Sequence, residues 1–231
     1  SGSAVRYINS HRDVDDRIPA RWTRAHEPLD TPSRGALDFL LLHLAYGQAL
    51  ATGETRDLLS VYPHAVAHLR ASVKGSVDGT IEGLSFYPDR PTVFGRTEHS
   101  VVALEAGCLY SFARLMDNVA GAFSDEATRS AARELAGRIE RMYKASFWDE
   151  NTGFVRDSFD RVTGKRNETF PLFSLLFLQS GLGIPLIRDL LPAMGRFLSE
   201  RLQTDAGTRM LPARDARHQG EDALGSWYPH W

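Results

Sequence analysis

The chain has 231 residues and a mass of 25.7 kDa, with 42% hydrophobic and 24% charged residues. That composition excludes a disordered, collagen-like or fibrous chain and leaves room for one large domain or two small ones. Lys+Arg 27 against Asp+Glu 29 gives a net charge of -2, too balanced to draw in a polyanion, so nucleic acid is not an expected partner.

The N-terminal Ser1-Gly2-Ser3 has no methionine and no charged-then-apolar leader, and it reads as the remnant of a cut tag followed by an extended lead-in to residue 27. Residues 28–231 are expected to form the domain proper. Lysine occurs only at 74, 144 and 165, an arginine bias expected of a GC-rich bacterial coding sequence.

Leu37, Leu40, Leu41, Leu44 and Ala45 recur at helical spacing, as do Leu58, Leu59, Tyr62, Val66 and Leu69, with Thr52-Gly53-Glu54 between them. The spacing predicts a helix, a tight turn and a second helix. His64 and His68 lie four apart on that second helix, as metal ligands would, yet no third ligand follows; a solvent-facing pair is the expectation. A second helical pair runs from Val101 to Met116 and from Leu135 to Met142, with Ser124 as the expected N-cap ahead of Asp125 and Glu126. Cys108 sits mid-helix among Ala106, Leu109 and Phe112, a small core residue that cannot form an intrachain disulfide on its own. A third pair is predicted from Phe170 to Leu182 and from Pro185 to Leu202, with Pro185 in the first turn of its helix.

After each pair comes the same short signature: Asp78-Gly79-Thr80-Ile81, then Asn151-Thr152-Gly153-Phe154-Val155, then Asp205-Ala206-Gly207-Thr208-Arg209. Each needs a turn with a positive-φ glycine and then a short extended run. The glycines are about 74 and then 54 residues apart, an irregular repeat whose long polar loops would form the binding face. In each pair the first helix is the more apolar. The second carries charges on one face, for example Arg129, Arg133, Glu134, Arg138, Glu140 and Arg141. The expected fold class is therefore all-α, an α/α toroid of helical hairpins, favoured over an open TPR-like array because the pairs and loops exceed that unit.

The segment Phe147-Trp148-Asp149-Glu150-Asn151-Thr152-Gly153-Phe154, with Asp157, Asp160 and Thr163-Gly164, resembles a signature of the six-hairpin (α/α)6 glycoside hydrolases, in particular the processing alpha-glucosidase, trehalase and mannosylglycerate hydrolase group. The first hairpin, from Tyr46 to Asp78-Gly79, is similar to the same group, and Gly225-Ser226-Trp227-Tyr228-Pro229-His230-Trp231 resembles its Trp-x-Gly-Pro-x-Trp segment. The resemblance covers about Pro28 to Trp231. It implies a barrel that hydrolyses a glycosidic bond with inversion, acting on an alpha-linked sugar or a small glycoside. Only about three of six hairpins are present, so the chain is expected to be a partial barrel, completed by its missing remainder or by a homodimer. The rival reading is a non-catalytic hairpin module that binds carbohydrate or protein.

Inversion needs a protonated carboxyl at the leaving oxygen and a second carboxylate roughly 6.5 to 9.5 Å away. In Tyr87-Pro88-Asp89-Arg90-Pro91 the resemblance places Asp89 as general acid, although the serine of the family's Asp-x-Ser-Pro context is missing; capping the turn before Pro91 is its structural alternative. Glu98 and Glu221 are the other catalytic candidates, Glu98 alternatively opposing a helix dipole and Glu221 alternatively part of a polar loop with Asp222. Glu82 reads as a loop charge. Phe86, Tyr87, Trp148 and Trp227 are candidates for stacking on a sugar face, Trp148 also fitting a structural plug of the hairpin end. Asp149, Glu150, Asp157 and Asp160 lack calcium-loop order. No cofactor, metal or membrane is expected, the partner is a carbohydrate substrate, and the expected location is cytoplasmic, with a removed leader left open.

Overall fold

A computed structural model of the chain describes residues 3–13, 16, 18–19, 32–33, 36–75, 99–205 and 207–208. Helix dominates. The chain divides into two compact units, Ser1–Phe86 with Phe112–Gly137, and Tyr87–Ser111 with Arg138–Trp231. Among the described residues, no helix is long and apolar enough to cross a membrane.

In the first unit, Ser3–Asn9 forms a helix (α1) inside the stretch expected to be extended, and Ile18–Pro19 (β1) pairs antiparallel with Pro32–Ser33 (β2). The first predicted pair is present as Ala36–Thr52 (α2) and Arg56–Gly75 (α3), which pack on each other. Gly53 takes φ 76° at the exit of α2 and its N–H bonds to Ala49 O at 2.9 Å, the left-handed exit that favours glycine. Leu58, Val61, Ala65 and Leu69 form the buried stripe of α3, each leucine contributing about 1.5–3 kcal/mol through burial. On α2 the apolar face divides. Leu41, Leu42 and Ala45 are buried, whereas Leu40, Leu44 and Leu50 are exposed.

The second pair is Ala103–Ala122 (α4) and Glu126–Phe147 (α5), and the unit boundary falls within both helices. Their cap differs from expectation. Ser124 has φ 56°, and the cap is Asp125, whose carboxylate accepts from Thr128 N–H at 3.0 Å and from the Thr128 hydroxyl at 2.7 Å. The tight exit of α4 forces residue 124 into left-handed geometry and moves the capping role one residue on.

In the second unit, Ser100–Val102 (β3) pairs with Ser158–Asp160 (β6), and Trp148–Asp149 (β4) pairs with Phe154–Val155 (β5). The third predicted pair is corrected. Leu172–Ser180 is a 3-10 helix, and the next stretch breaks into Ile184–Ile187 (α6), Leu191–Phe197 (α7) and a π turn at Leu198–Leu202, followed by the β-hairpin Gln203–Thr204 (β7) and Gly207–Thr208 (β8). Pro185 stands in the first turn of α6 as expected, but Pro192 also opens a helix and so breaks the run. The 3-10 stretch has a tertiary cause. The Phe177 ring lies so close to Gly107 and Gly183 that a Cβ at either position would overlap it, and Ser111 Oγ donates to Phe177 O at 3.3 Å.

Candidate functional site

Of the seven candidate site residues, Trp148 lies within the described residues. Asp89, Glu98, Glu221, Phe86, Tyr87 and Trp227 lie outside them, as do Glu82, the Asp78-Gly79 turn and the 225–231 segment.

Trp148 is the first residue after α5 and pairs with Val155 across a hairpin turned by Gly153, φ 69°. It is partly exposed. Its hairpin is braced from both sides. Asp149 Oδ1 accepts from Thr152 N–H at 2.7 Å, and its other oxygen pairs with the Arg156 guanidinium. Beneath it, Phe154 is fully buried and stacks on Phe197 with centroids 4.4 Å apart. The guanidinium of Arg156 lies 5.7 Å from the centre of the Phe170 ring, and burial pushes its pKa down, with Arg166 adding to the effect and Glu168 opposing it. Arg156 Nε is buried without a partner, a cost accepted to pin the turn.

Asp157, Ser158, Thr169 and Ser174, with Ser111 and Asp149, are the buried polar residues among those described in this unit. Asp157 ties the fold through its backbone: its carbonyl accepts from Ala103 N–H at 2.8 Å, starting α4, and its N–H donates to Thr169 O at 2.8 Å. Asp160 accepts from Val162 and Thr163 N–H at 2.9 and 2.8 Å, closing the turn that ends on Gly164. Among the described residues no group of three His, Cys, Asp or Glu side chains is placed to hold a metal ion.

The buried carboxylates Asp38, Asp57 and Asp149 each face an arginine: Arg12 at 2.6 Å, Arg6 at 3.0 Å, and Arg156. A cation on that face blocks the approach of a leaving-group oxygen, so these three serve as anchors. Cys108 is buried, and desolvation pushes its thiol well up, as fits a core residue.

One cluster was missed by the sequence reading. His64 and His68 do not face solvent as a pair. His64 Nδ1 lies 2.7 Å from Asp16 Oδ1, while His68 is turned inward, with its ring edge-to-face on Phe112 at 5.4 Å and its Nε2 buried without a partner. The correction arises because the N-terminal segment covers this face of α3, and a contact between residues 12 and 38 leaves no periodic trace. No protein-family model matches the chain, and no curated protein matches it.

Proposed function

We propose that this chain belongs to an α/α toroid glycoside hydrolase that cleaves an alpha-linked sugar or a small glycoside with inversion. The observation that carries the reading is a recurring end-piece. The segment that bears the resemblance folds as a helix end running straight into a β-hairpin, Trp148–Val155, and the same arrangement returns at Gln203–Thr208 after Leu202. Each hairpin holds a glycine of positive φ, Gly153 at 69° in the turn and Gly207 at 131° at the start of the return strand. Helical segments that end repeatedly in rigid hairpins supply the rim on which a toroid carries its substrate loops.

In this reading Asp89 is the general acid, with Glu98 and Glu221 as the further carboxylate candidates, and Phe86, Tyr87, Trp148 and Trp227 line the sugar site. Trp148 is the one whose backbone is pinned by the Asp149–Arg156 pair. The protein is a cytoplasmic bacterial enzyme needing no cofactor. The second reading, a non-catalytic module, is favoured by Leu40, Leu44 and Leu50 on α2, which are 41, 59 and 70% exposed; apolar side chains on one helix suit a protein partner.

The test is hydrolysis of aryl alpha-glycosides, trehalose and glycosyl-glycerates by the chain and its Asp89→Asn variant, with product anomers followed by NMR. Inverted product that falls by at least a hundredfold in the variant supports the hydrolase and the acid. No turnover by a cooperatively folded chain sinks it and favours the module.

A further inference from the structure

The N-terminal segment is held on α2 and α3 by polar bonds that converge on one guanidinium. Arg12 Nε donates to Asn9 Oδ1 at 2.9 Å, one terminal nitrogen donates to Asp16 O at 2.8 Å, and the other meets Asp38 Oδ1 at 2.6 Å. Both side chains of the Arg12–Asp38 pair are 7% exposed. Asn9 Nδ2 donates to Ser60 O at 3.1 Å, and Arg6 Nε pairs with Asp57. Among the described residues apolar contact is thin on this segment, where Val5 is the buried hydrophobic residue of α1. Its attachment therefore depends on charges staying as they are.

His68 lies next to this cluster. Its Nε2 is enclosed and has no acceptor, and the described groups that act on it are Asp38 from α2, Arg12 and Asp16 from the N-terminal segment, and the uncharged Phe112 ring from α4. Its own helix contributes His64, which faces Asp16. A proton added at His68 would place a cation in an enclosed site beside Arg12.

We propose that the N-terminal segment, residues 3–13 with Asp16, is an acid-released clamp, and that protonation of His68 is the event that lifts it from α2 and α3. Burial holds the pKa of His68 below its ordinary 6.5, against the attraction of Asp38 and Asp16 and with the help of Arg12. Lifting the segment returns the imidazole to water and to that ordinary value, so the open form binds a proton that the closed form refuses. The sign follows from linkage. The closed form is fully favoured above pH 6.5 and loses ground as pH falls toward the lowered pKa, by up to about tenfold in the opening equilibrium per pH unit.

Hydrogen–deuterium exchange of the intact chain at pH 7.5 and 5.5, corrected for the intrinsic pH dependence of exchange, reads this directly. Opening of residues 3–13 is expected to rise at the lower pH, by at most about tenfold, with residues 112–122 unchanged, and to be independent of pH in His68→Leu. The rise should persist in His64→Gln, which separates the two imidazoles. Protection of residues 3–13 that ignores pH in the wild type, a response lost in His64→Gln or kept in His68→Leu, or equal loss across residues 112–122 overturns the proposal. An NMR titration of His68 itself covers the case in which the leucine variant does not fold, because a pKa at or above 6.5 also overturns it.

Discussion

The two units each contain a buried arginine–aspartate pair, and the pairs do different work. Arg156 and Asp149 are seven residues apart and brace a single hairpin, so their meeting is prepared by the turn at Gly153. Arg12 and Asp38 are separated by 26 residues and join the N-terminal segment to α2. The local pair stiffens a shape the backbone already favours. The distant pair creates a contact that no backbone preference supplies, and it has satisfied hydrogen bonds on all three guanidinium nitrogens. Sequence separation thus distinguishes a brace from a tie, and the two should fail differently.

The largest expected effect tests that distinction. Asp38→Ala takes the buried carboxylate from the Arg12 cation and leaves it the half-exposed Asp16 carboxylate at 3.6 Å with the bonds to Asn9 Oδ1 and Asp16 O, which should cost about 3 kcal/mol in urea unfolding. Asp149→Ala should cost less, because the Arg156 side chain is 14% exposed against 7% for Arg12 and reaches water more readily. Equal losses would erase the difference between brace and tie.

A middle-sized effect probes the apolar side of the second unit. In Gly183→Ala the new methyl would meet the Phe177 ring and come within 2.9 Å of Ser111 Oγ. Overpacking of this kind costs about 1–3 kcal/mol, seen as a lower midpoint with an unchanged m-value. A neutral result would mean that the ring has room to move.

The smallest effect belongs to the cap of α5. Asp125→Ala should lose about 1 kcal/mol, together with the hydroxyl bond that Tyr62 donates to Asp125 at 3.0 Å. That bond and, above all, burial push the Tyr62 phenol up to about 12. Asp125 itself is held below its ordinary 3.8, chiefly by the Thr128 backbone N–H and then by its hydroxyl. Its contribution is therefore present above pH 3.8 and lost as pH falls through the lowered value. The deficit of the variant, measured by thermal melts, should shrink as the buffer is taken from pH 6 to pH 3.

Much of the helical framework was legible in the chain. The spacing of Leu58, Leu59, Tyr62, Val66 and Leu69 marked α3 as a helix, but its buried face was read less well: Leu59 is exposed, and Val61 and Ala65 complete the stripe with Leu58, Val66 and Leu69. The turn at Gly153 and the extended run after it were legible too, because that glycine marks a conformation other residues resist, whereas the pairing of the run with Trp148–Asp149 was not read. The third pair was not legible. From Phe170 to Leu182 nearly every residue is apolar, so no polar face sets a period, and the outcome rests on where the Phe177 ring docks. The cap at Asp125 rather than Ser124 turned on one dihedral angle. Arg12, Asp38 and His68 come from three separate elements, and their meeting depends on tertiary packing that local spacing does not encode.

The close fit of Phe177 against Gly107 and Gly183 has a consequence for how this chain can change over time. A side chain at either glycine and a full-sized ring at 177 exclude one another, so neither glycine can change before position 177 does. A shortened residue at 177 would free both glycines at once, and a return to phenylalanine would then be barred until both had reverted. The trio acts as a ratchet on sequence variation: the order in which substitutions arrive decides which of them the fold will tolerate.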